Sequence, residues 1–369
     1  MLNLNIKNNA FILVAMSGGV DSSVTAALLK DQGYKVAGAT FSFSNIGLPG
    51  YDSLRENVYD AKKVADYIGI PHYEIDVAKQ FKENVINPFV DEYSKGRTPN
   101  PCARCNRLLK FDVLIKKAEE LGADYVATGH YAKIIHEEEG KSKLFSAEIS
   151  AKDQSYFLFN LKQEQLSKIL FPLAGFSKDE VRGIAAELNL PTAEKPDSQE
   201  VCFIPDDNYP GFIKDNYPDT LKPGKIVDLS GKITGEHEGI QFYTIGQRKG
   251  IGAHCKRKFV VKINNENNEI IIGDDEDLFS NEMMIGEFNW INIPLKQNTF
   301  HAKIKIRSNS PPADCKVEIV GDEVKVIFDH SQKAVTPGQA AVIYIDNEVI
   351  GGGFICSAMP DIANRDSNR

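Results

Sequence analysis

The chain has 369 residues, 42% apolar and 25% charged, the balance of an ordinary globular protein with room for two or three domains. Six cysteines are too few for a disulfide scaffold, and no apolar run reaches the length of a membrane span. A net charge of −8 argues against indiscriminate nucleic-acid binding and leaves local basic patches to decide any specific contact. Residues Met1 to Lys7 lack the basic and apolar regions of a secretory signal, so a cytoplasmic location away from membranes is expected.

Over the first 200 or so residues, apolar runs alternate with helical patterns. Strands are predicted at Phe11–Ala15, Lys35–Phe43, His72–Val77 and Asp124–Thr128, with helices near Ser22–Gln32, Leu54–Ile68, Phe81–Tyr93 and Asn106–Leu121. Gly33, Gly69 and Gly122 stand where C-terminal caps belong. This alternation predicts an α/β domain over residues 1–208, built on a doubly wound parallel sheet with its ligand beyond the C-terminal strand ends. Ser177-x-x-Glu180 reads as a capping box opening a helix that runs to Leu188. After about Pro205 the character changes, and Pro210, Pro218 and Pro223 punctuate a linker-like stretch. A small central β-rich domain is expected over 209–280, with strands Lys225–Leu229, Phe259–Ile263 and Glu269–Gly273. Strands His301–Arg307, Cys315–Ile319, Glu323–Phe328, Ala340–Ile345 and Val349–Ile355 then suggest a small barrel or sandwich over 281–369. The last ten residues read as a frayed tail.

The first predicted strand stops at Ser17-Gly18-Gly19 and a helix follows through Val20-Asp21-Ser22-Ser23. A strand, a glycine turn and a helix N-terminus bring bare N–H groups and a positive dipole end together, which makes a phosphate cradle. The serines add hydroxyl donors. Asp21 beside a phosphate is repulsive unless a divalent cation lies between them, which argues for magnesium. The common P-loop with its phosphate-binding lysine is absent.

Asn100-Pro101-Cys102-Ala103-Arg104-Cys105 is the second chemical signal. Cys102 and Cys105 lie near the start of a predicted helix that carries Arg104, Arg107 and Lys110, an environment that lowers a thiol pKa. A zinc half-site needs two further ligands, and no second CxxC supplies them. Two inert buried cysteines are the plain alternative. Cys202, among Val201, Phe203 and Ile204, reads locally as a core residue.

Seven blocks in order change the weight of these readings. SGGVDSS (17–23), GRTPNPCxxCNxxxKF (96–111), ATGHYA (127–132), KDQSYFL (152–158), DSQEVCFIP (197–205), TIGQRKGIG (244–252) and TPGQA (336–340) together resemble the tRNA-specific 2-thiouridylases of the ATP-pyrophosphatase superfamily. The resemblance implies a PP-loop catalytic domain, a small central domain and a C-terminal β-barrel that contacts tRNA. It implies ATP-dependent replacement of O2 by sulfur at the wobble uridine of tRNAs for Glu, Gln and Lys. ATP and Mg2+ would then sit on Ala15, Met16, Ser17, Gly18, Gly19, Val20, Asp21 and Ser22, with Phe41 and Gly129 framing the adenosine. Cys202 would carry a persulfide delivered by a cysteine desulfurase or a persulfide relay protein. Cys105 would be the nucleophile that releases the sulfur, leaving a Cys105–Cys202 disulfide. The tRNA contacts implied are Asn100, Pro101, Cys102, His130, Lys152, Asp153, Gln154, Arg307, Ser308 and Gln339, on a monomeric enzyme.

One position departs from the pattern. Some members carry Asn-Pro-Asp where this chain has Asn100-Pro101-Cys102, so a carboxylate that exchanges protons is replaced by a thiol. Cys102 could share that proton transfer as a third thiol, or join Cys105 and Cys202 on an iron–sulfur cluster with one open iron position. Basic residues do cluster despite the acidic total: Arg248, Lys249, Lys256, Arg257 and Lys258, and the alternating Lys303, Lys305 and Arg307. The rival within the superfamily is an amide-forming ligase, which leaves the cysteines and the β-rich final third unexplained.

Overall fold

Phe11–Ala15 forms β1, whose central Ile12, Leu13 and Val14 are wholly buried because helices cover both faces of the sheet at this strand. The computed structural model describes residues 4, 6–44, 46, 52–137, 140–149, 152–196, 201–204, 208–292 and 298–360. The expected tail and residues 197–200 and 205 of the DSQEVCFIP block lie outside the described residues. One compact unit comprises the described residues of 1–85, 102–203 and 347–349; the other comprises those of 86–101, 204–346 and 350–369.

In the first unit, β1 is followed by α1 (Val20–Asp31), β2 (Lys35–Ser42), α2 (Asp52–Ile68) and β3 (His72–Asp76). Then come α3 (Pro101–Cys105), a π-helical turn (Asn106–Phe111), α4 (Asp112–Leu121) and β4 (Tyr125–Ala127). A hairpin of β5 (Ala132–His136) and β6 (Ser142–Ser146) precedes β7 (Ile169–Leu170) and α5 (Lys178–Glu187). The sheet runs β3-β2-β1-β4-β7, parallel throughout, as the alternation predicts. Gly33, Gly69 and Gly122 adopt φ of +85°, +67° and +71°, the left-handed caps expected of them. The capping box also forms: the Ser177 hydroxyl accepts from Glu180 N at 3.2 Å, and Ser177 N donates to the Glu180 carboxylate at 2.7 Å. Two helices differ from expectation. The stretch expected as Phe81–Tyr93 divides at a π turn over Lys82–Ile86, and the one expected from Asn106 begins at Pro101, a favoured first helical residue.

The second unit holds a four-stranded sheet, ordered β10-β11-β8-β9, of β8 (Gly224–Asp228), β9 (Ile233–His237), β10 (Phe259–Asn264) and β11 (Glu269–Gly273). It also holds β12 (Phe279–Trp290), β13 (Thr299–Lys305), β14 (Ala313–Val320), β15 (Glu323–Lys333), β16 (Ala340–Ile345) and β17 (Glu348–Pro360). These pair in the order β12-β15-β14-β13-β16-β17, and β12 pairs back with β17 from Ser280↔Pro360 to Trp290↔Gly351. Closure makes a barrel, so the sandwich alternative falls. Ile304, Val317, Val326, Ile343 and Ile355 fill its interior.

Candidate active site

The chain leaves β1 under tight control: Met16 N donates to Ala39 O at 2.8 Å and Thr40 Oγ1 donates to Met16 O at 2.7 Å. Ala15 therefore ends the strand and Ser17 starts the loop. Gly18 has φ +70° and its α-carbon lies against the Asn57 carbonyl, so no side chain fits there. Gly19 is the N-cap of α1 and offers no side-chain cap, which leaves the first-turn N–H groups for a ligand. The serines are less available than expected. Ser22 and Ser23 hydroxyls both donate to Gly19 O, at 3.1 and 2.8 Å, and Ser22 Oγ accepts from Ser17 N at 3.1 Å. They hold the loop's shape.

Asp21 is not isolated. Its Oδ1 accepts from Tyr131 OH at 2.8 Å and from Lys178 Nζ at 2.7 Å. A lysine thus stands at the loop after all, supplied by the first turn of α5 rather than by the loop itself. Gly129, after β4, packs where a Cβ would come within 2.9 Å of Asp21 C and Ser22 N. Phe41, half-buried on β2, pairs in register with Ile75 of β3. An uncapped helix start, a cation and a carboxylate around a cradle that excludes side chains fit a magnesium-bound triphosphate.

The thiols occupy the same unit. Cys105 is buried, Cys102 half-buried and Cys202 exposed, and all three are free. The lowered thiol pKa expected from the helix and its guanidiniums does not appear. Burial raises Cys102 and Cys105, and the cation that opposes this is Lys110, not Arg104 or Arg107. The protein crowded around the Cys202 sulfur, then Cys105 beside it, push that thiol upward too; because Cys202 is exposed, water moderates the push. Burial alone would lower Lys110, yet Cys105, Cys102 and Cys202 together hold it above the ordinary lysine value. Phe203 anchors the segment by its ring contact with Phe81, at 5.6 Å between centroids. Among the described residues, no three His, Cys, Asp or Glu side chains are grouped to hold a metal ion.

His130 lies between the rings of Phe111 and Phe171, at 5.9 and 5.8 Å between centroids, with its Nδ1 2.6 Å from Thr128 Oγ1. Burial, then Lys110, lower it to about 3, so it is neutral at physiological pH. Gln154 accepts from Tyr131 N at 3.1 Å and Asp153 accepts from Ala147 N and Ser155 N, at 3.0 and 3.1 Å. Both side chains order their own loop, while Lys152 is exposed.

In the second unit, residues expected to meet tRNA are engaged within the protein. Arg307 donates to Ala334 O at 2.7 Å and Thr336 Oγ1 at 3.2 Å; Gln339 donates to Thr98 O at 3.1 Å and Pro99 O at 3.3 Å. The two Gln339 bonds hold residues 98–101 as a strap in which Asn100 and Pro101 are buried, and Ser308 is half-buried. Lys303 pairs with Asp314 and Lys258 with Asp274, both at 3.0 Å, which thins the expected basic faces. Arg248, Lys249, Lys256 and Arg257 remain exposed.

Residues 10–206 match the profile described as "tRNA methyl transferase HUP domain", 211–274 the "tRNA methyl transferase PRC-barrel domain" and 280–355 the "Aminomethyltransferase beta-barrel domain". A "tRNA-specific 2-thiouridylase MnmA" from Halothermothrix orenii is 48% identical over 351 residues, covering 93% of this chain and 98% of the relative. Its namesake from Carboxydothermus hydrogenoformans is 46% identical, with 93% and 97% covered, and that from Clostridioides difficile 45%, with 94% and 98% covered. The chain belongs to the tRNA-specific 2-thiouridylase family. Sequence reasoning alone passed over two partners in this 2-thiouridylase's site. Lys178 was hidden in a capping box that gave only a helix start, and Tyr131 in a block quoted for its glycine.

Proposed function

We propose that this chain uses ATP to activate the wobble uridine of tRNA and replaces its O2 by sulfur carried on Cys202. The observation that supports it most is chemical. An exposed thiol and a buried thiol share one lysine, in the same unit as a phosphate cradle. First-turn N–H groups of α1 and Lys178 would hold the phosphates, and Asp21 would hold a magnesium ion, which when bound would supply charge neutralisation. The uridine O2 attacks the α phosphate, giving an adenylated base and pyrophosphate. Neutral His130, seated among Phe111 and Phe171, offers the base an uncharged hydrogen-bonding face.

Sulfur delivery then balances. The Cys105 thiolate attacks Sγ of the Cys202 persulfide, a Cys105–Cys202 disulfide forms, and the terminal sulfur departs with the electron pair as hydrosulfide. Hydrosulfide adds at C2 and expels AMP, and a thiol reductant restores both cysteines. We favour this route over a cluster because the thiols lack a ligand arrangement. Cys102 takes the place of an acid near the base. The same reading makes tRNAs for Glu, Gln and Lys the substrates, with Asn100, Pro101, Lys152, Ser308 and the exposed basic residues near 248–257 on the RNA side. It draws persulfide from a desulfurase or relay protein, and it places a monomer in the cytoplasm with domain divisions near residues 208 and 280.

The test uses anaerobic protein, Mg–ATP, a persulfide donor and unmodified tRNA, with 2-thiouridine quantified by mass spectrometry after digestion. Product from the wild type and none from Cys202→Ser is expected. Wild-type protein that makes none, with the donor verified, overturns the proposal.

A further inference from the structure

Lys110 closes the cysteine block and was read there only as one of three cations beside the thiols; the helix gives it a more particular place. Cys102 and Cys105 are three residues apart in α3 and share a face. Lys110 is five residues beyond Cys105; in an uninterrupted α-helix it would be turned about 140° away. The intervening turn is π-helical, with hydrogen bonds reaching five residues, and brings residues five apart back toward one side. The packing fixes that turn: Leu109 and Phe111 are 1% and 0% exposed, and Asn106 donates to Phe157 O at 2.9 Å. Lys110 thereby comes within electrostatic reach of Cys105 and Cys102 on its own helix, of Cys202 and of His130 in the loop after β4.

Resting on the sulfur-transfer reading above, we infer that Lys110 is a positioning residue for that step, a cation that opposes the burial of the Cys105 thiol, favours its ionisation and screens the departing hydrosulfide. A buried thiol beside no charge stays protonated and is a poor nucleophile; a lysine among three sulfurs keeps its own proton while favouring theirs to leave. His130 cannot share the task because it is neutral.

The experiment measures site-resolved methylthiolation of the full-length protein by methyl methanethiosulfonate between pH 6 and 10, read by mass spectrometry, with neither ATP nor tRNA present. Lys110→Met should move the Cys105 midpoint upward by at least ~1 pH unit, roughly tenfold slower reaction at pH 7.5, and Lys110→Arg should restore most of it. Exposed Cys255 is the internal control and keeps its profile. A Cys105 profile identical in wild type and Lys110→Met overturns the inference, as does an equal shift at Cys255, which marks general loosening. Because no substrate is used, absence of thiouridine in the activity assay would sink the function and leave this result standing.

Discussion

Gly338 offers the sharpest test of how the barrel holds its strap. It sits in the turn between β15 and β16 with φ +92°, and an added Cβ would lie 2.8 Å from Thr98 O and 3.0 Å from Thr98 N. Three bonds converge on that strap: Thr98 N to Pro337 O at 2.9 Å and the two from Gln339. In Gly338→Ala the left-handed backbone costs roughly 1–2 kcal/mol. The displaced strap forfeits three hydrogen bonds at about 1 kcal/mol each. A loss of about 4 kcal/mol lowers the melting midpoint by roughly 8–16 °C for a unit of this size. Gln339→Ala removes only the two side-chain bonds, so about 1–3 kcal/mol is expected. Calorimetry supplies the midpoints, and amide hydrogen exchange at Thr98 reports the strap directly. A Gly338→Ala protein melting within 1 °C of wild type, with Thr98 still protected, would refute the clamp.

Gly129→Ala should weaken ATP about tenfold by pushing on the first turn of α1, near 1.4 kcal/mol in binding free energy, measured by titration calorimetry; unchanged affinity would show that the close approach is not needed. His130 makes acid stability asymmetric. Its folded pKa is near 3 against about 6.5 unfolded, so the unfolded state takes the proton first, and stability falls as pH drops from 6.5 toward 3 with no effect above that window. At pH 4.5 the loss is about 2–3 kcal/mol at most. His130→Asn should flatten that part of the urea-midpoint profile between pH 7 and 4.5, and an equal slope in both proteins would contradict it.

What could be read from the sequence was whatever local rules dictate. β1, β11 and β16 fall on their expected residues because each is a short apolar run closed by turn formers. β9 escaped notice: Ile233-Thr-Gly-Glu-His is polar, half in solvent, and becomes a strand by pairing with β8. The π turn at Asn106–Phe111 escaped too, because its sequence suits an α-helix and carries no local sign of the wider turn. At the site, the candidate residues could be picked from the sequence and their electrostatics could not. Cys102 and Cys105 look activated by a helix start and arginines in one dimension, whereas burial reverses the sign and hands the opposing role to Lys110.

Four consecutive residues join the two half-reactions physically. Thr128 orients His130 through its hydroxyl, Gly129 lets the loop touch the start of α1, and Tyr131 reaches Asp21 while its backbone pairs with Gln154. The loop at Asp21 is thus tied to His130 and to the 152–155 loop by direct, short contacts. Lys110 ties the same histidine to the thiols by charge. The order of chemistry follows from this wiring. On the proposed route, sulfide released before adenylation would find O2 still a poor leaving group and be lost, so a loop that joins Asp21 to His130, with Lys110 between His130 and Cys105, suits activation first and sulfur second.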